Sequence, residues 1–166
     1  SDSEVPLYAG DERSVAATKS YLATLTAAAQ LLGHWNRDRE LLAALDDLPA
    51  RLSRAVEQDW ATAVEALTGS DRLLVIGRGA GLAVAQEAAL KFKETCAIQA
   101  EAFSGAEVRH GPMALIGPGY PVLVFAPPGP EQAGLLELAE WLESIGARVL
   151  LAADERWTVA DTGDDV

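Results

Sequence analysis

Three ionisable side chains share one face of a predicted helix and could carry proton-transfer chemistry. Glu87, Lys91 and Glu94 are spaced four and three residues apart, so a helix brings them side by side. An ordinary surface ion pair explains the same spacing. Glu94, however, ends the helix just before an apolar segment, where the helix dipole disfavours negative charge and suits a carboxylate that accepts a proton. Glu94 is therefore a candidate general base.

His110 is a second candidate for acid–base chemistry. It lies in a segment punctuated by glycine and proline, Glu107–Pro112, which favours a positioned side chain over a packed one. A hydrogen bond that only stabilises the loop explains the pattern equally well. The other histidine, His34, ends a predicted helix, and the single cysteine, Cys96, is expected to be a small buried hydrophobe. These residues form no metal-ligand pattern, so we expect no metal and no cofactor.

A glycine-rich segment, Gly77-Arg78-Gly79-Ala80-Gly81, follows a short apolar run and precedes the same helix. Such a segment can bind an anion at a helix N-terminus. The dinucleotide-binding pattern fails because Leu82 occupies the position of the third small residue. A tight strand-to-helix turn that needs positive φ explains the glycines without any ligand, and we favour it over a phosphate cradle.

The elements that must position these residues alternate between strands and helices in the second part of the chain. Apolar runs predict strands at 72–77, 97–103, 121–126 and 147–152, and helical periodicity predicts helices at 82–94 and 132–145. This alternation indicates an α/β fold, a doubly wound parallel sheet with helices on both faces.

The first part of the chain is predicted to be helical. Helices are expected at 11–35, with a cap at or near Ser14, and at 41–48 and 52–67, divided at Pro49. Val5–Gly10 is typical of the tail of a strand whose sheet lies upstream. Asp161–Val166 is polar and is expected to be unstructured directly after a strand. Both ends therefore suggest a fragment of a longer protein.

Composition and charge exclude several classes of protein. The chain has 166 residues, of which 49% are hydrophobic, so it can form a packed core. Its net charge of −12 disfavours binding to nucleic acid. No apolar run approaches the ~18 residues of a transmembrane helix, and the acidic N-terminal residues do not resemble a signal peptide. A cytoplasmic protein with no membrane partner is expected.

Four motifs together resemble a known family. They are Gly77-Arg78-Gly79 and the runs Glu87–Glu94, Ala100–Phe103 and His110–Leu115. In this order they are similar to the second sugar-isomerase (SIS) domain of the glucosamine-6-phosphate synthase type. Ala9–Lys19 is similar to the segment that closes the first SIS domain of those proteins. The resemblance implies that residues 1–50 end a first SIS domain with connecting helices. It implies that residues 51–166 form a second, flavodoxin-like SIS domain that is truncated at its C-terminus.

The resemblance also implies roles for individual residues in the chemistry of amino-sugar phosphates. Glu94 matches the general base that moves a proton between C1 and C2, and Lys91 matches the lysine that faces this base across the substrate. His110 matches the histidine that opens the sugar ring, which is lent by the neighbouring subunit of a homodimer. Val15 and Ala17 fall where family members contact the sugar phosphate substrate.

Departures from the family pattern refine the expected activity. Ala17 replaces a serine of the synthases, and the family's phosphate-binding loop, C-terminal lysine tail and glutaminase domain are not found in the sequence. The sequences of Lys91–Cys96 and Glu101–Met113 resemble those of the stand-alone SIS deaminases more closely. The expected activity of the intact protein is therefore conversion of glucosamine 6-phosphate to fructose 6-phosphate plus ammonia, whereas this chain alone should be nearly inactive. The alternatives are the isomerase part of a glutamine–fructose-6-phosphate aminotransferase and a non-catalytic sugar-phosphate-binding module.

Overall fold

The structure, a computed structural model, describes residues 4–153 and the backbone of residues 156–159. It divides into two compact units, Ser1–Asp59 and Trp60–Val166, which are described separately below. The segment Asp161–Val166, which the sequence indicated to be unstructured, lies outside the described residues.

The first unit is a pair of helices, α1 (Lys19–Asn36) and α2 (Arg39–Val56). The two helices approach closely at Gly33, where an added Cβ would lie 2.9 Å from Leu42 Cδ2. The predicted start of the first helix at residue 11 was wrong, because the Glu12 carboxylate binds the first amides of α1 and the chain before Lys19 stays non-helical. The predicted strand tail at Val5–Gly10 was also wrong, since these residues belong to no regular element.

The predicted helix break at Pro49 was wrong as well, because α2 continues through this residue. Proline removes one backbone donor and crowds the preceding turn, which usually ends a helix. Here the leucines at 41, 45, 48 and 52 keep helical spacing across the proline, and Asp38 caps the helix by accepting from the Leu41 amide at 3.0 Å. The unit boundary therefore follows α2, after Asp59, whereas the predicted domain boundary at residue 50 falls inside this helix.

The second unit is an α/β sheet. Its helices are α3 (Ala61–Leu67), α4 (Ala80–Cys96) and α5 (Gln132–Ser144), and two 3₁₀ turns cover Val108–His110 and Pro112–Leu115. Its strands are β1 (Arg72–Gly77), β2 (Gln99–Ser104), β3 (Pro121–Ala126), β4 (Arg148–Ala153) and β5 (Arg156–Val159).

The strand order is β2-β1-β3-β4-β5, in which the first four strands are parallel and β5 pairs antiparallel with β4. The predicted doubly wound parallel sheet is confirmed. The additional strand β5 was not predicted, because four residues next to a polar segment carry too little pattern to indicate a strand.

Two separate cores cover the two faces of this sheet. Successive side chains of a strand point to opposite faces, so Leu73 and Val75 of β1 pack with α4, whereas Leu74 and Ile76 pack with α5. The 3₁₀ turn that contains His110 belongs to the α5 side, since its first residue, Val108, is fully buried in that core.

Candidate active site

Lys91 lies between two carboxylates on α4. Its Nζ atom is 2.8 Å from Glu87 Oε1 and 3.2 Å from Glu94 Oε2. The three side chains are only 23%, 23% and 28% exposed, in the order Lys91, Glu87 and Glu94. Helical spacing therefore brings together two of the predicted catalytic residues, and their partial shielding distinguishes the cluster from a fully solvated ion pair.

The environment of Lys91 favours its charged form. The hydrogen bond to Glu87 is the largest cause that raises the pKa of the Lys91 ammonium, and partial desolvation opposes it. Glu94 adds a second hydrogen bond in the same direction. Lys91 is thus a persistent cation beside the candidate base, and Glu87, considered from sequence only as a surface partner, is its nearest carboxylate.

Glu94 lies in the last turn of α4, which is closed by a left-handed residue. Ala97 has φ +55°, and the Ile98 amide donates to the Phe92 carbonyl at 3.3 Å. The predicted burial of Cys96 was wrong, because this thiol is exposed. The helix ends there, and Ile98, which is 7% exposed, enters the core in its place.

His110 lies at the end of a 3₁₀ turn that backbone hydrogen bonds and a buried valine stabilise. The Glu107 amide donates to the Ser104 carbonyl at 2.8 Å, and the His110 amide donates to the Glu107 carbonyl at 2.9 Å. Val108 anchors the turn in the core. The imidazole itself is exposed and forms no hydrogen bond within residues 4–153, so these contacts, rather than the ring, stabilise the loop.

Within one chain, Glu94 and His110 lie on elements that pack on opposite faces of the sheet. Glu94 belongs to α4, which packs on the Leu73 and Val75 face, whereas the turn with His110 packs on the opposite face. The structure therefore brings Lys91 to Glu94 but does not bring His110 to them.

The glycine-rich segment is explained by backbone geometry. Gly79 has φ +56°, and a Cβ on Gly77 would lie 2.2 Å from the Gly81 carbonyl oxygen. Arg78, the cation of this segment, is paired with Glu131 at 2.6 Å. These contacts match the tight turn favoured from sequence, and the phosphate cradle has no supporting contact among the described residues.

The two predicted sugar-contact residues lie in the first unit, in the segment before α1. Val15 is 91% exposed and Ala17 is exposed, whereas Ala16 between them is buried. Sequence reasoning did not identify Glu12, whose carboxylate fixes this segment. The sequence feature that could have indicated this role is an acidic residue a few positions before the helix N-terminus.

Within the described part of the chain, no group of three or more histidine, cysteine, aspartate or glutamate residues could hold a metal ion. No helix in that part is long and apolar enough to cross a membrane.

Comparison with known proteins identifies the family. Residues 66–158, more than half of the chain, match the SIS domain family. The chain belongs to the SIS domain family. This SIS match begins in α3 and ends in β5, so it falls within the second unit.

Relatives of this SIS chain include enzymes of sugar-phosphate chemistry. It is 39% identical over 144 residues to a glutamine–fructose-6-phosphate aminotransferase [isomerizing] from Methanothermobacter thermautotrophicus, covering 86% of this chain and 24% of that protein. It is 44% identical to a candidate phosphosugar isomerase of known structure from Silicibacter pomeroyi, with a TM-score of 0.82 and coverage of 87% and 44%.

A glucosamine-6-phosphate deaminase from Thermotoga maritima is 25% identical to this SIS chain. The TM-score is 0.64, with coverage of 86% of this chain and 44% of that one. The chain spans about a quarter of the length of the curated relatives that it matches.

Proposed function

We propose that this SIS chain carries the proton-transfer machinery of an enzyme that converts glucosamine 6-phosphate to fructose 6-phosphate and ammonia. The observation that supports this proposal most directly is the contact of Lys91 Nζ with Glu94 Oε2 at 3.2 Å, on a partly shielded helix face. A carboxylate beside a fixed ammonium is suited to moving a proton between adjacent carbon atoms. The SIS family supplies the substrate class.

The proposed reaction needs one base and one electrostatic partner. Glu94 takes the proton from C2 of the open-chain amino sugar, and the electron pair moves through C1 to its oxygen. Glu94 then returns the proton to C1 while the nitrogen lone pair forms a C2 iminium. A proton passes from this nitrogen to the C1 oxygen, which leaves an imine at C2 and a hydroxyl group at C1. Water adds to this imine and ammonia departs, giving the ketose. Lys91 stabilises the negative charge that develops on oxygen during the transfer.

We propose that His110 opens the sugar ring in the site of a neighbouring subunit of a homodimer. A shared site is supported by the positions of Glu94 and His110 on elements that pack on opposite faces of the sheet. An exposed imidazole on a hydrogen-bonded turn is suited to proton transfer during ring opening. A second copy of the chain is therefore the proposed partner, beside the sugar phosphate.

The first unit is proposed to contribute sugar contacts through Val15 and Ala17. We interpret residues 1–50 as the end of one SIS domain with connecting helices and residues 51–166 as most of a second, for which the SIS match at residues 66–158 is the support. A cytoplasmic location is inferred from the substrate class and the exposed, unpaired Cys96.

A second candidate is the isomerase part of a glutamine-dependent aminotransferase. It is favoured by the 39% identity with the Methanothermobacter protein. Both candidates use the same proton transfer between C1 and C2, so they share the assignments of Glu94, Lys91 and His110. They differ in the source and fate of ammonia.

The experiment that tests the proposal uses the full-length protein. It is incubated with glucosamine 6-phosphate, and ammonia and fructose 6-phosphate are measured for the wild type, Glu94→Gln, His110→Ala and the control Glu140→Gln, an exposed glutamate of α5. We expect ammonia release that Glu94→Gln abolishes and Glu140→Gln preserves.

Two other outcomes decide between the alternatives. If no ammonia appears but fructose 6-phosphate plus glutamine yields glucosamine 6-phosphate, the aminotransferase is correct. Sugar-phosphate binding without turnover in either direction would contradict catalysis and identify a binding module.

A further inference from the structure

One carboxylate binds three backbone amides at the N-terminal end of α1. Glu12 Oε2 accepts a hydrogen bond from the Thr18 amide at 2.9 Å, and Glu12 Oε1 accepts from the Lys19 and Ser20 amides at 3.0 and 3.2 Å. These amides have no partner within a helix, so they need an acceptor from elsewhere in the chain. Thr18, the N-cap residue, provides no side-chain hydrogen bond. Glu12 therefore performs the capping from six residues upstream of Thr18.

This long-range cap closes a short loop, residues 13–17. The loop has a second tie beside the first, since the Lys19 ammonium donates to the Asp11 carbonyl. Ala16 is only 4% exposed and anchors the middle of the loop, whereas Val15 beside it is 91% exposed. The Glu12 cap, the Lys19–Asp11 hydrogen bond and buried Ala16 thus hold the loop, and Val15 beside Ala16 remains exposed to solvent.

The same contacts limit which part of a ligand this loop can contact. Helix N-termini are favourable positions for phosphate because free amides point outward. At α1 the carboxylate of Glu12 already occupies those amides. A phosphate group at the same position would be repelled. Val15 and Ala17 of the loop are exposed and apolar, so they suit the carbon atoms of a sugar. The exposed Arg13 and Ser14 at the start of the loop, by contrast, are charged and polar.

We propose that Glu12 is a positioning residue that holds the 13–17 loop in the conformation that contacts the uncharged part of the sugar phosphate. This inference rests on the proposed function, in which Val15 and Ala17 contact the sugar. Glu12 itself does not touch the reacting atoms. Its removal should weaken substrate binding more than it slows the chemical step.

The test compares Glu12 with a second carboxylate that caps a helix but is not next to the loop proposed to contact the substrate. Asp38 caps α2 of the same unit through the Leu41 amide at 3.0 Å, so Asp38→Ala is a matched control for loss of a helix cap. In the full-length protein, we expect Glu12→Ala to raise KM for glucosamine 6-phosphate about tenfold while kcat stays within about twofold. Asp38→Ala should leave both values unchanged. Glu12→Gln, which keeps the Oε1 acceptor and loses the Thr18 bond, should give an intermediate KM.

Amide hydrogen exchange provides a readout that does not depend on turnover. In Glu12→Ala, the amides of Thr18, Lys19 and Ser20 should lose protection, and those of α2 should not. Equal effects of Glu12→Ala and Asp38→Ala on KM, or unchanged exchange at residues 18–20, would overturn the proposal. If the wild type neither turns over nor binds the sugar phosphate, the proposed function fails. The exchange data then still decide whether Glu12 orders the loop.

Discussion

Glu94 lies on a helix that packs on one face of the sheet, whereas His110 lies on a turn that is anchored in the core of the opposite face. Glu94 ends the helix that covers Leu73 and Val75, whereas the turn with His110 packs through Val108 against Leu74 and Ile76. The proposed action of both groups on one sugar therefore favours a site that is shared between two subunits, and this proposal can be tested directly.

Mixed dimers should regain activity from two inactive parents. Glu94→Gln and His110→Ala are each expected to be inactive, but a heterodimer of them has one site with both native groups. Equal mixing and re-equilibration of subunits should restore about a quarter of wild-type activity, because half of the dimers are mixed and each has one intact site. Ammonia release measured after co-expression or remixing checks this. No recovery with demonstrated heterodimers would contradict the shared site.

Removing Glu87 should weaken the charge of Lys91. The hydrogen bond to Glu87 is the main cause of the raised pKa of Lys91, so the cation is retained as pH rises until the folded-state pKa is passed. Glu87→Gln lowers that pKa. The alkaline limb of kcat should therefore move to lower pH in Glu87→Gln, as measured by a pH–rate profile.

A matched control for Glu87→Gln is Asp47→Asn. It removes an exposed pair at the same spacing, Asp47 with Arg51. Its pH profile should equal that of the wild type. An unmoved alkaline limb in Glu87→Gln would show that Lys91 does not carry this dependence.

The stability contribution of Glu12 should depend on pH with a defined sign. The hydrogen bond from the Thr18 amide, helped by those from the Ser20 and Lys19 amides, lowers the pKa of the Glu12 carboxyl below its usual value, and desolvation opposes them. The stabilisation is present above the unfolded-state pKa and is lost as pH falls through the folded-state pKa. Glu12→Gln should therefore lower the denaturation midpoint at pH 7 and approach the wild type near pH 3. A constant difference at both pH values would contradict this origin.

Gly77 is required by a close backbone approach. A Cβ at this position would lie 2.2 Å from the Gly81 carbonyl oxygen, which a rigid strand-to-helix turn cannot accommodate. Gly77→Ala should lower the free energy of unfolding by about 3 kcal/mol or more, or prevent folding. Gly134→Ala on α5 is the control, because nothing lies within 4 Å of its added Cβ, and it should stabilise by about 0.5–1 kcal/mol. Denaturant titration measures both.

Local pattern predicted most of the second unit. Apolar runs indicated four parallel strands. Successive side chains of β1 are buried in the cores on the two faces, as expected for a sheet that is covered by helices on both sides. Helical spacing alone placed Lys91 between Glu87 and Glu94. Two predictions from local pattern were wrong. Pro49 does not end α2, and Cys96 is exposed rather than buried because α4 ends there, just before the left-handed Ala97.

The sequence by itself determined the order of β1 to β4 with α4 and α5, the acidic character and the cluster on α4, because these depend on residue type and short spacing. Only the tertiary structure decided that the helix with Glu94 and the turn with His110 pack on opposite faces of the sheet, since the path of the chain after β2 does not follow from any local pattern. It also decided that Glu12 reaches the amides of Thr18, Lys19 and Ser20. That contact depends on the loop folding back, because the carboxylate must meet free amides that only the completed helix presents.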